Sequence, residues 1–386
     1  ILTSMFNAPD WLTYLKVRGS YTEVGNSYGR FMTTVTYPYD EQTQNWTSTS
    51  SYPNTKLKPE RTKSWEVGLD ARILNDISLN LTYYRSNTYN QTFYADLSLS
   101  SGYSNIPIQS GNIMNEGIEM ALGYNKQWKD FSFNTNYTLT WNKNRVKRLA
   151  DGVYNYATGQ SIQMPELSPL TYGHTDARLI LRVGGSMGDV YGQRLLKRDL
   201  NGYILNEEGV GLTMENKETY LGSILPKMNM GWSLGFGYKG VNLGMTFTGR
   251  FGGIVISETQ SVLDAAGVSK VSADVRDAGG VQINQGKVSA QTYYQAIQGT
   301  AAYYTYSATN VRLGELSLSY TLPKKWFDNK VGMTVGLVGK NLWMIYCKAP
   351  FDPELTTSAA SNFYQGFDAY MLPSTRNFGF NIKFQF

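Results

Sequence analysis

RNFGFNIKFQF, residues 376–386, alternates polar and apolar side chains through to its last residue. Successive side chains of a β-strand point to opposite faces, so a period of two predicts a strand with one apolar and one polar face. The apolar face carries Phe378, Phe380, Ile382, Phe384 and Phe386. Because no helix or further sheet follows to cover the phenylalanines, we expect lipid to cover them, as it covers the outer face of a transmembrane β-barrel.

Three earlier segments repeat this pattern, at residues 77–84, 131–141 and 315–321. A soluble β-sandwich also alternates along its strands, so one such segment leaves both folds open. The polar positions are mostly Asn, Ser and Thr, whereas Lys and Glu would be expected more often on the solvated face of a sandwich. A polar lumen is typical of membrane barrels. The repetition therefore favours an all-β fold, a transmembrane antiparallel β-barrel.

About 12 segments have the character of barrel strands. They lie near residues 12–24, 62–75, 76–88, 89–99, 111–126, 131–146, 171–183, 188–198, 228–239, 240–251, 309–322, 330–342 and 373–386. Tight turns are predicted at 75–76, 129–130 and 239–240. The other connections are long and are expected to lack regular structure; they span 25–61, 147–170, 199–227, 252–308 and 343–372. Short periplasmic turns and long external loops are typical of outer-membrane barrels.

Composition supports a single membrane-embedded architecture. The 386 residues contain no linker rich in Pro, Ser or charge, and aromatic residues make up 14%, including 29 tyrosines, which suits an interfacial belt. The net charge of +5 is scattered along the chain, so no nucleic-acid partner is indicated. No apolar run reaches the roughly 18 residues of a spanning helix. A membrane location would therefore depend on strands.

Residues that could support catalysis or bind a metal are sparse. His174 is the only histidine and Cys347 the only cysteine, so neither a metal site nor a catalytic triad is indicated, and His174 is expected to be an ordinary strand residue. The carboxylates of Asp352-Pro353-Glu354 could bind a cation, but pairing with lumenal Arg or Lys is favoured. We expect no cofactor and no enzymatic activity.

Aromatic residues in the predicted external loops are the candidate substrate contacts, because flat rings stack on sugar faces and pack against peptide side chains. An alternative is that they brace the loops or form part of the interfacial belt. The candidates are Trp46, Tyr52, Tyr154, Tyr156, Tyr303, Tyr304 and Tyr306.

Five stretches resemble the SusC/RagA family of TonB-dependent outer-membrane transporters of Bacteroidetes, and they occur in that family's order. They are LKPERTKSWEVGLDAR (57–72), SGNIMNEGIEMALGY (110–124), RVGGSMGDVYGQ (182–193), TNVRLGELSLSYTLPKKW (309–326) and VGKNLWMIYCKAPFDPEL (338–355). The resemblance implies a barrel of the size of the plugged transporters, about 22-stranded. Residues 1–386 would form its carboxyl-terminal part, with the plug domain and the amino-terminal strands absent from this chain.

The resemblance also implies a function and partners. Family members import oligosaccharides or oligopeptides across the outer membrane, a SusD-like surface lipoprotein covers the barrel as a lid, and TonB acts through the amino-terminal part. Residues 25–61, 252–308 and 343–372 become candidates for lid and substrate contact. Phe386 is predicted to be the signal read by the barrel assembly machinery. The alternatives are a passive porin or adhesin barrel and, from another class, a soluble β-rich binding protein.

Overall fold

Ten antiparallel strands form one continuous sheet, which we call the wall. The structure, a computed structural model, describes residues 9–109, 111–149, 153–155, 159–162, 166–208, 211–328, 330–355, 357–358 and 362–386. The wall strands are β1 (Leu12–Asn26), β2 (Glu60–Ile73), β3 (Ile77–Tyr89), β4 (Asn112–Trp128), β5 (Phe131–Arg148), β6 (Met228–Tyr238), β7 (Val241–Phe251), β8 (Asn310–Leu322), β9 (Gly332–Cys347) and β10 (Asn377–Gln385). Each strand pairs with the next along the chain.

The register of the wall collects apolar side chains on one face and polar ones on the other. Tyr137 of β5 lies between Leu122 of β4 and Trp232 of β6. The preceding residue, Asn136, lies between a glycine and a serine on the same two strands. The apolar face is open in the chain itself, since Leu337 is 61% exposed. Lipid is the partner that this face requires.

Tight turns join the strands at one end of the wall. Lys129 adopts φ 49° between β4 and β5, and Lys239 and Gly240 adopt φ 47° and 90° between β6 and β7. A side chain at Gly240 would also clash, because its Cβ would lie 2.8 Å from the carbonyl oxygen of Thr321. Together with the turn before β3, these are the turns predicted from the sequence.

Long connections at the opposite end of the wall fold into what we call the loop assembly, the described residues of 27–59, 90–111, 149–227, 252–309 and 348–376. Its helices are α1 (Glu258–Ala265), α2 (Lys270–Asp277) and α3 (Ala290–Ile297). Each begins after a serine whose side chain accepts a hydrogen bond from a first-turn backbone amide. In the described part of the chain, none of the helices has the length and apolar character needed to cross a membrane.

Small sheets make up most of the rest of the loop assembly. Glu166–Thr171, Arg178–Arg182, Asp189–Leu196 and Met214–Ser223 form a four-stranded sheet, and Ile254–Ser257 lies between Thr305–Ser307 and Phe367–Asp368. Hairpins pair Tyr39–Asp40 with Asn45–Trp46, Thr92–Asp96 with Asn105–Gln109, Val153–Asn155 with Gln160–Ile162, Asn206–Glu207 with Gly211–Leu212, and Val281–Ile283 with Gly286–Val288. The 3₁₀ turns are Leu99–Ser101, Ala301–Tyr303 and Asn362–Gly366; Lys324–Phe327 lies between β8 and β9.

Two expectations about these segments are wrong. Segments 89–99, 171–183 and 188–198 contain strands, but these pair within the loop assembly, so the wall has ten strands here rather than about 12. Segment 252–308 is folded and contains all three α-helices of the described chain. Alternation reveals a strand but not its partner: Leu179 and Val190 pack into a protein core instead of facing lipid.

The loop assembly has buried apolar cores of its own. One core joins parts of the chain that are far apart in sequence, with Tyr172, Leu179, Ile224 and Ile256 fully buried and Phe367 2% exposed. A second core packs the hairpin around residues 92–109 against the top of β5. These contacts hold the external end of the wall in a defined shape.

Candidate functional site

The polar face of the wall is a connected hydrogen-bonded lining. Arg18 of β1 extends across β2 to β3, where its Nη2 donates hydrogen bonds to Thr82 Oγ1 at 2.5 Å and to Asn80 Oδ1 at 3.3 Å. Its Nε lies 3.6 Å from Asp70 Oδ2 on β2. Gly68 leaves room for this crossing, because a Cβ there would lie 2.9 Å from Arg18 Cγ. Such a lining fits a hydrated lumen.

A buried charge cluster lies where β8 meets the loop assembly. Arg312 is 9% exposed, and its Nη1 and Nη2 donate to the two carboxylate oxygens of Asp352 at 2.9 and 2.7 Å. Glu354 Oε2 lies 3.4 Å from Arg312 Nη2. Asn310 accepts a hydrogen bond from Arg312 Nε at 3.2 Å and donates one to Glu354 Oε1 at 3.1 Å. This geometry confirms the ion pairing expected for the Asp352-Pro353-Glu354 segment.

The protonation of Asp352 reflects its surroundings. Burial alone would raise the pKa of the Asp352 carboxyl, but hydrogen bonds from Arg312 and from the Glu354 backbone amide lower this pKa below its ordinary value. The bidentate pair with Arg312 is therefore charged on both sides at neutral pH. It fastens the segment after β9 to the wall.

A cavity of about 400 Å³ adjoins this cluster and is lined by Pro226, Asn229, Arg250, Glu354 and Gln365. Arg250 lies directly opposite Asn310 in the register of β7 and β8, on the polar face. Its Nη2 donates to the carbonyl oxygen of Ile224 at 2.9 Å, while its Nε has no hydrogen-bond partner among the described residues. The cavity therefore offers both a cation and a carboxylate to a ligand in the lumen.

Trp46 and Tyr52 occupy different surroundings. Trp46 is 71% exposed and its ring lies 5.1 Å from that of Tyr39, so it presents an aromatic face at the external end. Tyr52 is half-buried, makes an edge-to-face contact with Tyr103 at 5.1 Å and packs against the core beside β5. Of these two candidates, Trp46 is the one positioned to meet a ligand from solution.

Tyr303, Tyr304 and Tyr306 come together in one core under the helices. Tyr304 is 2% exposed, and burial raises the pKa of its phenol. Tyr303 Oη accepts a hydrogen bond from the backbone amide of Leu196 at 3.0 Å, and the Tyr306 ring meets Phe351 edge-on at 5.5 Å. In this structure the three tyrosines brace the loops, which is the alternative that the sequence left open.

Three other residues singled out in the sequence are placed as follows. Tyr154 lies in the strand Val153–Asn155, with its side chain outside the described structure, and Tyr156 lies outside the described residues. His174 is in a turn, not in a strand as expected: the Thr175 amide donates to the Tyr172 carbonyl at 3.1 Å, and the His174 amide donates to Glu258 Oε1 at 3.4 Å. Within the described ranges, no group of three or more His, Cys, Asp or Glu side chains could hold a metal ion.

Sequence reasoning missed Arg250, Asn310 and Arg312 as site residues. A signal was present for two of them, since Asn310 and Arg312 are two residues apart and must share one face of a strand. Nothing in the sequence linked them to Asp352, because that contact joins positions 40 residues apart, at the two ends of the β8–β9 hairpin.

An antiparallel wall with one apolar and one polar face, turned tightly at one end and capped by a folded assembly at the other, defines part of an outer-membrane β-barrel. The model of the family described as "TonB dependent receptor-like, beta-barrel" matches residues 5–342. The chain belongs to this family, whose members are outer-membrane receptors and transporters and not enzymes. The all-β barrel fold and the outer-membrane location are thereby confirmed.

Named relatives agree with this assignment. The chain is 25% identical to TonB-dependent receptor P3 of Formosa agariphila, over 97% of this chain and 40% of the relative. It is 28% identical to TonB-dependent receptor SusC of Bacteroides thetaiotaomicron, over 39% of this chain and 14% of that protein. The resemblance to the SusC/RagA group is confirmed, and the chain spans about 40% of the length of the first of these curated relatives.

Solved structures show the same fold. The RagAB peptide importer in its open-open state superposes with a TM-score of 0.72 at 20% identity, covering 100% of this chain and 41% of that chain. A second RagAB structure, described as a peptide transporter, gives a TM-score of 0.71 at 19% identity. The ten-stranded wall therefore corresponds to part of a larger barrel.

Proposed function

We propose that this chain is the carboxyl-terminal part of a TonB-dependent importer that takes up oligopeptides or oligosaccharides across the outer membrane. The observation that carries the proposal is the polar, charged face of the wall in a chain of this family. The plug domain and the amino-terminal strands would come from the rest of a longer protein. Peptide mapping of the native protein tests this arrangement; an intact mass equal to that of residues 1–386 would contradict it.

Energised uptake is the property that separates this function from a passive porin or adhesin barrel. We expect uptake of labelled substrate by cells to fall to background when TonB is removed, because TonB would have to act on the plug to open a path. Uptake that continues unchanged without TonB would favour the passive barrel.

Two substrate classes are supported by different observations. Arg250 and Glu354 in one lumenal cavity suit a peptide, whose termini carry both charges, and the RagAB structures are described as peptide importers. The exposed ring of Trp46 beside Tyr39 suits stacking on a sugar. We expect an Arg250→Gln variant to reduce peptide uptake about tenfold, the value of one charge-assisted hydrogen bond. A Trp46→Ala variant would instead reduce oligosaccharide uptake.

The matched control for Arg250 is Lys340→Gln. Lys340 is also a cation on the polar face, but it is exposed and lies 3.7 Å from Glu315. Uptake of both classes should be unchanged in this control. A loss of peptide uptake equal to that of Arg250→Gln would mean that general lumen charge, rather than the cavity, recognises the substrate.

A SusD-like lipoprotein lid is proposed to dock on the helices of the loop assembly. Leu263, Val268 and Val271 are exposed there, Val268 to 69%. We expect a Val268→Asp/Val271→Asp double variant to co-purify with much less lid lipoprotein. The control is Leu200→Asp, a fully exposed apolar residue that lies outside the three helices. Point variants test this better than deletion of residues 258–300, because that segment contributes to buried cores.

Phe386 is proposed to be the signal read by the barrel assembly machinery. Its side chain is 97% exposed, so its replacement removes no contact within the chain. A Phe386→Ser variant should accumulate outside the membrane, as measured by its share in the outer-membrane fraction. Normal insertion of this variant would contradict the assignment.

A further inference from the structure

The wall has an opening at its external end between β5 and β6. β5 extends to Arg148, whereas β6 begins at Met228, opposite Trp141. Above this point the edge of β5 is met by a hairpin tip: the Val146 amide donates to the Gly185 carbonyl and the Gly184 amide donates to the Val146 carbonyl, both at 2.8 Å. Above Trp141, therefore, loop backbone rather than a wall strand lies beside β5, and it covers only part of the gap.

This opening contains a cavity of about 820 Å³. It is lined by 18 residues from three sources: the edge of β5, the Gly184–Asp189 and Tyr220–Ser223 segments of the four-stranded sheet, and the two segments flanking β6 and β7. A cavity of this size accommodates a small ligand or a lipid headgroup. Tyr52, Tyr303, Tyr304 and Tyr306 are not among its lining residues.

The cavity meets the outer face of the wall. Trp141 and Lys143 of β5 line it, and in the register with β4 they lie opposite Ile118 and Glu116. Ile118 and Trp141 belong to the apolar face that contacts lipid. Lys143 is one strand repeat further toward the external end, where that face passes from apolar to charged residues. The cavity therefore lies at the height of the lipid headgroups.

The charges around the cavity are unbalanced. Lys143, Arg145 and Lys227 line it, and only Lys143 has a carboxylate nearby, Glu116 at 3.7 Å. Arg145 and Lys227 form no ion pair with any carboxylate in the part of the chain that the structure describes. The acid in the lining, Asp189, is already satisfied within the protein and does not offset them.

Asp189 is 7% exposed and its two oxygens are used. Oδ2 accepts a hydrogen bond from the Ser186 amide at 2.8 Å, and Oδ1 accepts one from the Tyr220 hydroxyl at 3.1 Å. Burial raises the pKa of this carboxyl, and both of its oxygens are already occupied by donors within the protein. The site is thus suited to an anion.

We propose that this cavity binds the phosphate-bearing headgroup of a lipid in the outer leaflet, with Arg145 and Lys227 contacting the phosphate. A lipid, rather than a free anion, is favoured because the apolar face around Ile118 and Trp141 continues directly below Lys143 and Arg145 of β5 and accommodates acyl chains. Basic residues at membrane depth just outside the hydrocarbon region bind anionic headgroups by the same combination of charge and position.

Other outward-facing cations of the wall provide a contrast. Arg61 and Lys63 on β2 lie 3.1 and 3.7 Å from Glu23 on β1. They form an ordinary solvated ion-pair group. Cations that lack a carboxylate partner and line a cavity are what distinguish the site at β5.

Native mass spectrometry of the purified outer-membrane protein tests the proposal. The protein is incubated in detergent with a phosphate-bearing lipid, with the dephosphorylated form of that lipid, or with inorganic phosphate alone. It is then released from the detergent, and the molecules that remain bound are identified by mass. We expect retention of the phosphorylated lipid and about 30-fold weaker binding by an Arg145→Gln/Lys227→Gln variant, because each lost charge near an anionic headgroup weakens binding about fivefold. Inorganic phosphate alone should bind poorly.

Two further variants keep the result interpretable. Arg145→Lys/Lys227→Arg retains both charges and should retain the lipid, while Lys63→Gln removes a cation of the solvated group and should change nothing. Equal retention by the wild type and the Gln double variant would overturn the proposal, and so would equal binding of the dephosphorylated lipid. Phosphate alone competing fully with the lipid would show a free-anion site and would overturn the assignment to lipid.

Discussion

The wall and the loop assembly solve the problem of apolar surface in opposite ways. On the wall, Leu337 is 61% exposed and Phe380 66%, whereas in the loop assembly Leu179 and Ile256 are fully buried. The wall is a single sheet whose apolar partner is the bilayer. The loop assembly lies in water and must fold several distant segments into cores. Alternating sequence suffices for the first, but the second depends on tertiary contacts.

The charge cluster of Arg312 joins the two regions. Arg312 and Asn310 belong to the wall strand β8, whereas Asp352 and Glu354 belong to the segment after β9. This cluster orients a loop over the lumenal cavity that contains Arg250. The comparison between the wall and the loop assembly can therefore be tested at the Arg312 charge cluster, in the interior of each region, and on the surface of each.

Breaking the Arg312–Asp352 pair should have the largest effect on the free energy of unfolding. An Arg312→Ala variant leaves the 8% exposed Asp352 side chain without its partner, and breaking a buried pair in this way costs about 3–5 kcal/mol. The loss is measured by denaturant unfolding in lipid vesicles and by hydrogen exchange of residues 348–355. Lys340→Ala is the control, since its exposed pair with Glu315 contributes at most about 1 kcal/mol. Equal losses of stability in Arg312→Ala and Lys340→Ala would show that the Arg312–Asp352 pair is no stronger than a surface pair.

The next test compares one leucine from each region. Leu179→Ala leaves a cavity in the core of the loop assembly and should lower the free energy of unfolding by about 2–5 kcal/mol. Leu337→Ala on the wall should cost less, because fluid lipid fills the vacated space and no cavity remains. Both are measured by denaturant unfolding in vesicles. A larger loss for Leu337→Ala would contradict the division between a packed core and a lipid-covered face.

A charge placed on each outer surface sharpens the comparison further. Leu337→Arg near the middle of β9 should destabilise the inserted protein by about 2–4 kcal/mol, because the arginine would face hydrocarbon. Leu263→Arg on α1 is the counterpart in the loop assembly, where the change should stay within about 0.5 kcal/mol. Tolerance of Leu337→Arg in the membrane would mean that this face does not contact lipid.

The smallest effect is expected from pH. The Asp352 pKa is lowered in the folded protein, so the stability it contributes is fully present above its ordinary value of 3.8 and is lost as the pH falls through the lowered pKa. The hydrogen-exchange protection factors of residues 348–355, which correct for the intrinsic pH dependence of amide exchange, should be unchanged between pH 7 and about 5 and should fall only below pH 3.8. An Asp352→Asn variant should lack this acid-dependent step. A loss of protection near neutral pH would assign the step to another group.

Much of the wall was predictable. The segments predicted at 131–146 and 240–251 agree closely with the observed strands Phe131–Arg148 and Val241–Phe251. Their turns were also predicted, because a turn with positive φ requires residues such as Gly240. The candidate site was predictable only in its acidic part, at Asp352 and Glu354.

The remainder could not be predicted because it depends on contacts between distant parts of the chain. Tyr304 is as aromatic as Trp46, and no local pattern reveals that one is buried in a core while the other is exposed. Arg145 likewise looks like any strand arginine. Its place beside a cavity follows from β6 beginning late and a hairpin from residues 182–189 occupying the gap.

The sequence by itself determined that this protein is a two-faced sheet, because a period of two assigns each side chain to lipid or lumen without reference to any other strand. It also determined the family, through motifs spread along the chain. Only the tertiary structure decided which strands enter the wall, which tyrosines are buried, and which cations lack a partner. Those properties depend on the distances between residues far apart in sequence, and folding alone sets these distances.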